Sequence, residues 1–307
     1  MKRFLMKKFF ILLSSLFVVI TLTFFLMHSI PGDPFLEDKG IPAEILDALK
    51  KHYGLDKPLF VQYLLYLKGL ISFNMGPSFK YEGRLVFDII KQSFPISLSL
   101  GIQSLFISLF LGFTLGTIAA FKENKWEDRF VMLLAVLGVS VPSFIVSTFL
   151  QYIFSMKLDL FPVARWGSFS HTILPSLSLA FLPTAFIARL TRANMIDVLK
   201  QEYIQTAKAK GLGTYSLIFK HVLLNTLIPI VGFLGPLTTS ILTGSFVVEK
   251  IFGIPGLGGW FVLSVVNRDY TLIMGTTIFY STILMLSIFV MDLLYCLIDP
   301  RIRLNVE

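Results

Sequence analysis

QEYIQTAKAKGLGTYSLIFKHVLLNTLIP, residues 201–229, decides how the rest of this chain is read. It carries Glu202, Gln205, Lys208, Lys210 and Lys220 directly after Lys200, inside a chain that is otherwise mostly apolar. A charge at mid-bilayer costs roughly 2.5–3.5 kcal/mol even on the mildest scale, so a lipid-facing segment does not hold this many. The stretch therefore lies in water between two apolar spans. Residues 196–210 contain good helix formers and neither Pro nor Gly, and Gly211 and Gly213 then end the helix. Ala207, Ala209 and Gly211 predict a small-residue patch near that end, where a partner surface can approach the backbone. The pattern suggests a short, stiff helix offered to a soluble partner. The plainer alternative is a loop helix lying on the membrane.

Composition supports the membrane setting. The chain is 55% hydrophobic and 15% charged, against about 25% charged in a soluble domain. The formal net charge of +8 mainly records orientation, because cytoplasmic loops concentrate Lys and Arg. No segment resembles a soluble basic domain, so nucleic acid is not an expected partner. Cys296 is the sole cysteine, which excludes an internal disulfide and a cysteine metal cluster. His28, His52, His171 and His221 lie far apart without ligand spacing. No catalytic constellation, metal site or cofactor is expected.

Outward from the opening stretch, the chain divides into apolar spans. Residues 1–8 hold Lys2, Arg3, Lys7 and Lys8, and residues 9–29 are uncharged and long enough to cross a bilayer. The run is too long and bulky for a signal peptide, so an uncleaved first span is expected. Residues 30–95 form an expected small external subdomain of mixed charge. Within it, residues 42–53 predict a short helix, residues 58–71 an interfacial or docked helix, and residues 74–78 a turn. The second span is expected over 96–121. Ser97, Gly101, Ser104, Ser108, Gly112 and Gly116 form a stripe on it that allows close helix packing, or else lines a pathway.

The third span, 130–154, is interrupted by Pro142. Ser140, Ser143, Ser147 and Gln151 share one face of it and are the candidates for lining a pathway, or for bonding neighbouring helices. The fourth span, 172–190, ends in Arg189 and Arg192, the fifth covers 227–248, and the sixth covers 271–298. A glycine-rich external turn, residues 252–260, is no phosphate loop, because no Lys-Ser/Thr follows and no strand precedes it. Asp292 is taken as the span acid that needs a partner, with a structural pair to an arginine such as Arg189 or Arg301 expected over a proton relay. Six spans put both termini on one side, and the positive excess makes that side cytoplasmic. The units are then 1–29, 30–95, a five-span core over 96–298 with a cytoplasmic loop at 191–226, and a tail at 299–307.

Glu202-Tyr203-Ile204-Gln205-Thr206-Ala207-Lys208-Ala209-Lys210-Gly211, followed by Leu227-Ile228-Pro229, resembles the "EAA…G…LP" loop of permease subunits of binding-protein-dependent ABC importers. Tyr203-Ile204 stand where the bare motif has two alanines. Further segments resemble the B-type subunit of the dipeptide/oligopeptide/nickel branch. They are Ile30-Pro31-Gly32-Asp33-Pro34, Ala188-Arg189-Leu190-Thr191-Arg192, Val247-Val248-Glu249-Lys250-Ile251-Phe252 and Pro255-Gly256-Leu257-Gly258. Arg268-Asp269-Tyr270, and Asp292-Leu293-Leu294-Tyr295 with Asp299-Pro300-Arg301, complete the series. They occur in the family's order and cover nearly the whole chain.

The resemblance implies an all-α integral membrane protein with six transmembrane helices in the type I ABC importer permease fold. It implies a second permease subunit, two cytoplasmic ABC ATPase subunits, an extracytoplasmic substrate-binding protein and a bacterial inner-membrane location. It makes Glu202, Thr206, Ala207, Lys210 and Gly211 the residues of an ATPase-coupling helix. The chain itself carries no Walker-type phosphate loop, so hydrolysis is expected in a partner. Di- or oligopeptides are the expected substrate. A nickel chelate or glutathione is the alternative, and an ion-coupled secondary transporter is the rival mechanism. The scarcity of span acids argues against that rival.

Overall fold

The computed structural model describes residues 2–30, 51–52, 54–217, 222–242 and 245–298. Apart from one bridge between Pro77 and Leu85, the regular structure among these residues is helical. That follows from the solvent: in hydrocarbon, a helix is the way for one segment to satisfy its own backbone. The helices are α1 (Lys2–Ser29), α2 (Leu59–Ile71), α3 (Val86–Phe121), α4 (Trp126–Ser140), α5 (Ser143–Leu150) and α6 (Ser170–Leu199). They continue as α7 (Glu202–Ala209), α8 (Thr214–Leu217), α9 (Leu223–Leu242), α10 (Phe246–Ile251), α11 (Leu257–Val266) and α12 (Tyr270–Ile298).

Among the described residues, four stretches are long and apolar enough to cross a membrane: Met6–Ser29, Val86–Phe121, Ser170–Leu199 and Tyr270–Leu294. A fifth is the bent pair Trp126–Ser140 and Ser143–Lys157, which turns by 107° at its break. In the second arm, α5 runs on into a π-helical segment, Gln151–Lys157. α9 is a further apolar helix of 20 residues, about 30 Å long.

The centre of the bundle is the packing of α3 along α6. The small-residue stripe of α3 is buried there. A Cβ on Gly112 would sit 2.7 Å from the Ile187 Cβ, and one on Gly116 would sit 2.6 Å from the Thr191 Cβ. On the neighbouring α4, a Cβ on Gly138 would sit 2.6 Å from that of Ala185. Ser104 Oγ donates to the Ser176 carbonyl at 3.0 Å. These contacts give the stripe a packing role, because missing side chains let two helix backbones approach.

The expected start of the second span moves. α3 begins at Val86 rather than near residue 96, and it runs through Pro95. Val86, Ile89 and Ile90 are buried with Leu257 and Leu272, so tertiary packing extends the helix past a proline that removes a single donor. The expected helix at 42–53 lies outside the described residues. The helix expected at 58–71 is α2, and it docks rather than spans. Its Tyr63 is buried with Phe24 of α1 and Met274 of α12, and its hydroxyl is 2.7 Å from Thr21 Oγ1.

A candidate coupling surface and its supports

α7 follows α6 after Lys200 and Gln201 alone, so its direction is set at the end of a long helix. Lys200 N–H donates to the Ile196 carbonyl and Gln201 N–H to the Val198 carbonyl, at 3.2 and 3.1 Å. The Gln205 amide reaches back to the Leu199 carbonyl at 3.0 Å and closes the joint. At the far end, Gly211 takes φ +78°, the left-handed conformation that glycine adopts without strain. Leu212 N–H then bonds the Ala207 carbonyl at 3.3 Å.

Helical spacing splits α7 into two faces. Ile204 and Ala207 point inward, buried in one cluster with Ala120, Met195, Ile196, Leu217 and Val222. Glu202, Gln205, Thr206, Ala209, Lys210 and Gly211 are exposed. The structure thus brings Glu202, Thr206, Lys210 and Gly211 to one open surface and sets Ala207 beneath it. Ala207 departs from the expected exposed patch: its methyl packs against the chain's own core. Among the described residues, no atom lies within 4 Å of where a Gly211 side chain would begin.

Ion pairs hold this end of the bundle together. Arg192 on α6 embraces Asp128 in the first turn of α4: Nη2 is 2.6 Å from Oδ2, and Nε meets Oδ1. This two-pronged match of guanidinium to carboxylate is the strong form of the pair. Asp128 is buried and also accepts Asn124 N–H at 2.9 Å. Farther out, Lys200 Nζ lies 3.0 Å from Glu123 Oε1. Asp292 meets Lys8, at 2.8 Å, not Arg189. α1 packs along α12 and carries its basic start to that acid, while Arg301 lies outside the described residues.

The pathway candidates do not form one stripe. The 107° turn at the break separates Ser140 from the other three. Ser147 is buried and donates to the Ser143 carbonyl at 2.8 Å. Gln151 donates to the Val163 carbonyl at 2.7 Å, which ties the segment after α5 to a loop. The face read from 3.6-residue spacing required a continuous helix, and Pro142 with Val141 interrupts it.

Two buried acids that the sequence pattern did not single out organise the opposite end. Glu249 on α10 accepts Ser97 Oγ at 2.7 Å and Gly259 N–H at 3.2 Å. Ser97 Oγ accepts Leu257 N–H at 2.9 Å. A side chain on Gly256 would collide with the Glu249 carboxylate, and a Cβ on Gly258 would lie 3.0 Å from Oε2. The glycines of residues 252–260 are therefore spaced around a carboxylate. Asp269 is the second acid. It accepts Ser78 Oγ, Phe79 N–H at 3.2 Å and Leu272 N–H at 3.1 Å. It binds the turn before α3 to the start of α12. The available signal was an acid set in apolar surroundings, as in Phe246-Val247-Val248-Glu249.

The chain matches two family models, one of which spans α7 and its glycine end. Residues 112–304 match "Binding-protein-dependent transport system inner membrane component". Residues 1–101 match the N-terminal part of the membrane component of such systems. The chain belongs to this family. It is 49% identical over 305 residues to the dipeptide transport system permease protein of Bacillus subtilis, covering 99% of each chain. It is 43% identical over 304 residues to the dipeptide transport system permease protein of Lactococcus lactis, covering 99% of this chain and all of that one. It is 41% identical over 305 residues to the oligopeptide transport system permease protein of Haemophilus influenzae, with 99% and 100% covered. For a membrane component of this family, the exposed face of α7 is the candidate meeting place with the rest of a transport system.

Proposed function

We propose that this permease is one half of the membrane pathway of an ATP-driven importer of di- and oligopeptides. A second permease subunit completes the pathway, two cytoplasmic ABC ATPases drive it, and an extracytoplasmic binding protein delivers the substrate. The reading counts α9 as a sixth crossing, with both termini and α7 in the cytoplasm of a bacterial inner membrane. The Lys and Arg excess on the side of residues 1–8 and 122–129 supports that orientation. The names of relatives at 41–49% identity over the full length support the peptide substrate over a nickel chelate or glutathione.

One observation carries the mechanism. α7 has its apolar face locked into the chain's own core and its polar face open. Glu202, Thr206, Lys210 and Gly211 supply the docking face for an ATPase, and Ala207 supplies the tight seat beneath it. ATP-driven closure of the ATPases then moves α7 and, through α6, the spans.

The test is Gly211→Asp in the complete transporter, reconstituted with its binding protein. Among the described residues nothing obstructs the added side chain, and Asp tolerates positive φ better than most residues. Insertion is expected to persist while peptide uptake driven by ATP falls at least about tenfold, the scale of a coupling between sites. Normal uptake by this variant would sink the coupling role of α7. The substrate is checked by titrating the cognate binding protein with dipeptides, longer peptides, nickel chelates and glutathione; saturable binding of peptides alone is expected.

A further inference from the structure

We infer that Asp128 and Arg192 are positioning residues for transport, the strut through which movement of α7 reaches two spans together. The inference rests on the coupling role of α7. α7 is joined along the chain to α6 by Lys200 and Gln201, so a push on α7 passes directly into α6. α6 contains Pro175 and Pro183, and prolines are the usual places where a long helix bends. Arg192 lies between those prolines and α7, so its pairing with Asp128 intercepts the movement before the bendable part.

The geometry makes the contact a rigid joint. Nε and Nη2 of Arg192 each donate to one oxygen of the Asp128 carboxylate, which fixes angle as well as distance. Asp128 sits at the start of α4 and accepts Asn124 N–H, so it also holds the turn leaving α3. Asn124 itself takes φ +65° in that turn. The Lys200–Glu123 pair closes the same gap from outside. Ala120, at the end of α3, packs in the cluster that seats Ile204 and Ala207 of α7. The end of α3, the start of α4, the end of α6 and α7 therefore form one block. Beyond it, α4 reaches the 107° break before α5. Movement of the block is delivered to that break and to the proline-containing part of α6 at once.

The experiment uses the complete transporter in proteoliposomes with its binding protein, and reads uptake, ATP hydrolysis and subunit co-purification side by side. Asp128→Asn keeps the shape and an acceptor for Asn124 while removing the charge. Arg192→Lys keeps the charge and removes the two-pronged geometry. Both variants are expected to assemble and to hydrolyse ATP, with peptide taken up per ATP lowered about tenfold, the size of a typical coupling between sites. Exchange of the pair, Asp128→Arg with Arg192→Asp, is expected to recover part of that ratio.

Unchanged uptake per ATP in the assembled single variants would overturn the strut. So would uptake and hydrolysis falling together in proportion to lost assembly in both variants, since that is what a merely structural pair predicts. Gly211→Asp run alongside separates the two ideas. If it uncouples and the strut variants do not, the strut alone fails. If it leaves uptake normal, the coupling surface fails first.

Discussion

The two ends of the permease bundle use buried acids differently. At the α7 end, Asp128 meets a guanidinium, and Glu123 and Asp292 each meet a lysine. At the other end, Glu249 and Asp269 meet only neutral donors in the contacts just described: serine hydroxyls and backbone N–H groups. An ion pair between helices joins bodies that are already rigid. A carboxylate wrapped by backbone N–H groups instead fixes the path of a loop, because each donor is a point on the chain. The first arrangement suits transmission of movement between helices. The second suits a fixed shape where residues 252–260 and 76–79 fold over the spans.

The contrast can be broken first at Glu249. Glu249→Ala strips Ser97 Oγ and Gly259 N–H of their acceptor in a buried site, at a cost of about 3 kcal/mol. A clear drop in the melting temperature of the purified complex is expected. An unchanged melting temperature would remove the loop-fixing role. Gly256→Ala tests the same contact by overfilling it, because the new methyl meets the Glu249 carboxylate. The expected cost is about 1–3 kcal/mol. If Gly256→Ala melts normally while Glu249→Ala does not, the glycine is there for reasons other than space. The smallest effect is expected at Lys8→Ala. The Lys8–Asp292 pair is partly exposed at both partners, and such pairs contribute about 0–1 kcal/mol. A loss as large as that of Glu249→Ala would mean that both ends depend equally on their acids.

Much of this architecture was legible in the residues. Lys208, Lys210 and Glu202 exclude the opening stretch from lipid, and Gly211 marks the end of its helix. The stripe from Ser97 to Gly116 announces close packing, and the structure supplies its partner, α6. The inward turn of Ala207 was not legible: an alanine is compatible with a partner's surface and with the chain's own core, and only the position of Ala120 and Met195 decides. The single face expected for Ser140, Ser143, Ser147 and Gln151 is broken for a related reason. Helical spacing places residues on a face only while the axis stays straight, and the axis turns between Ser140 and Ser143. Asp292 drew attention as an acid in a span, yet Asp128, Glu249 and Asp269 are the more deeply buried.

By itself, the sequence determined the membrane setting, the helical class, the polar helix at 202–209 with its glycine end, and the resemblance to importer permeases. These depend on the length of apolar runs, on local helix chemistry and on motif order, all properties of neighbours along the chain. The tertiary structure alone decided which acid meets which donor, where α3 begins, how sharply the α4–α5 pair bends and which side of α7 stays open. Asp128 and Arg192 are 64 positions apart. They meet because α4 packs along α6, where Gly138 lies against Ala185, and residues so far apart in the chain share no local pattern.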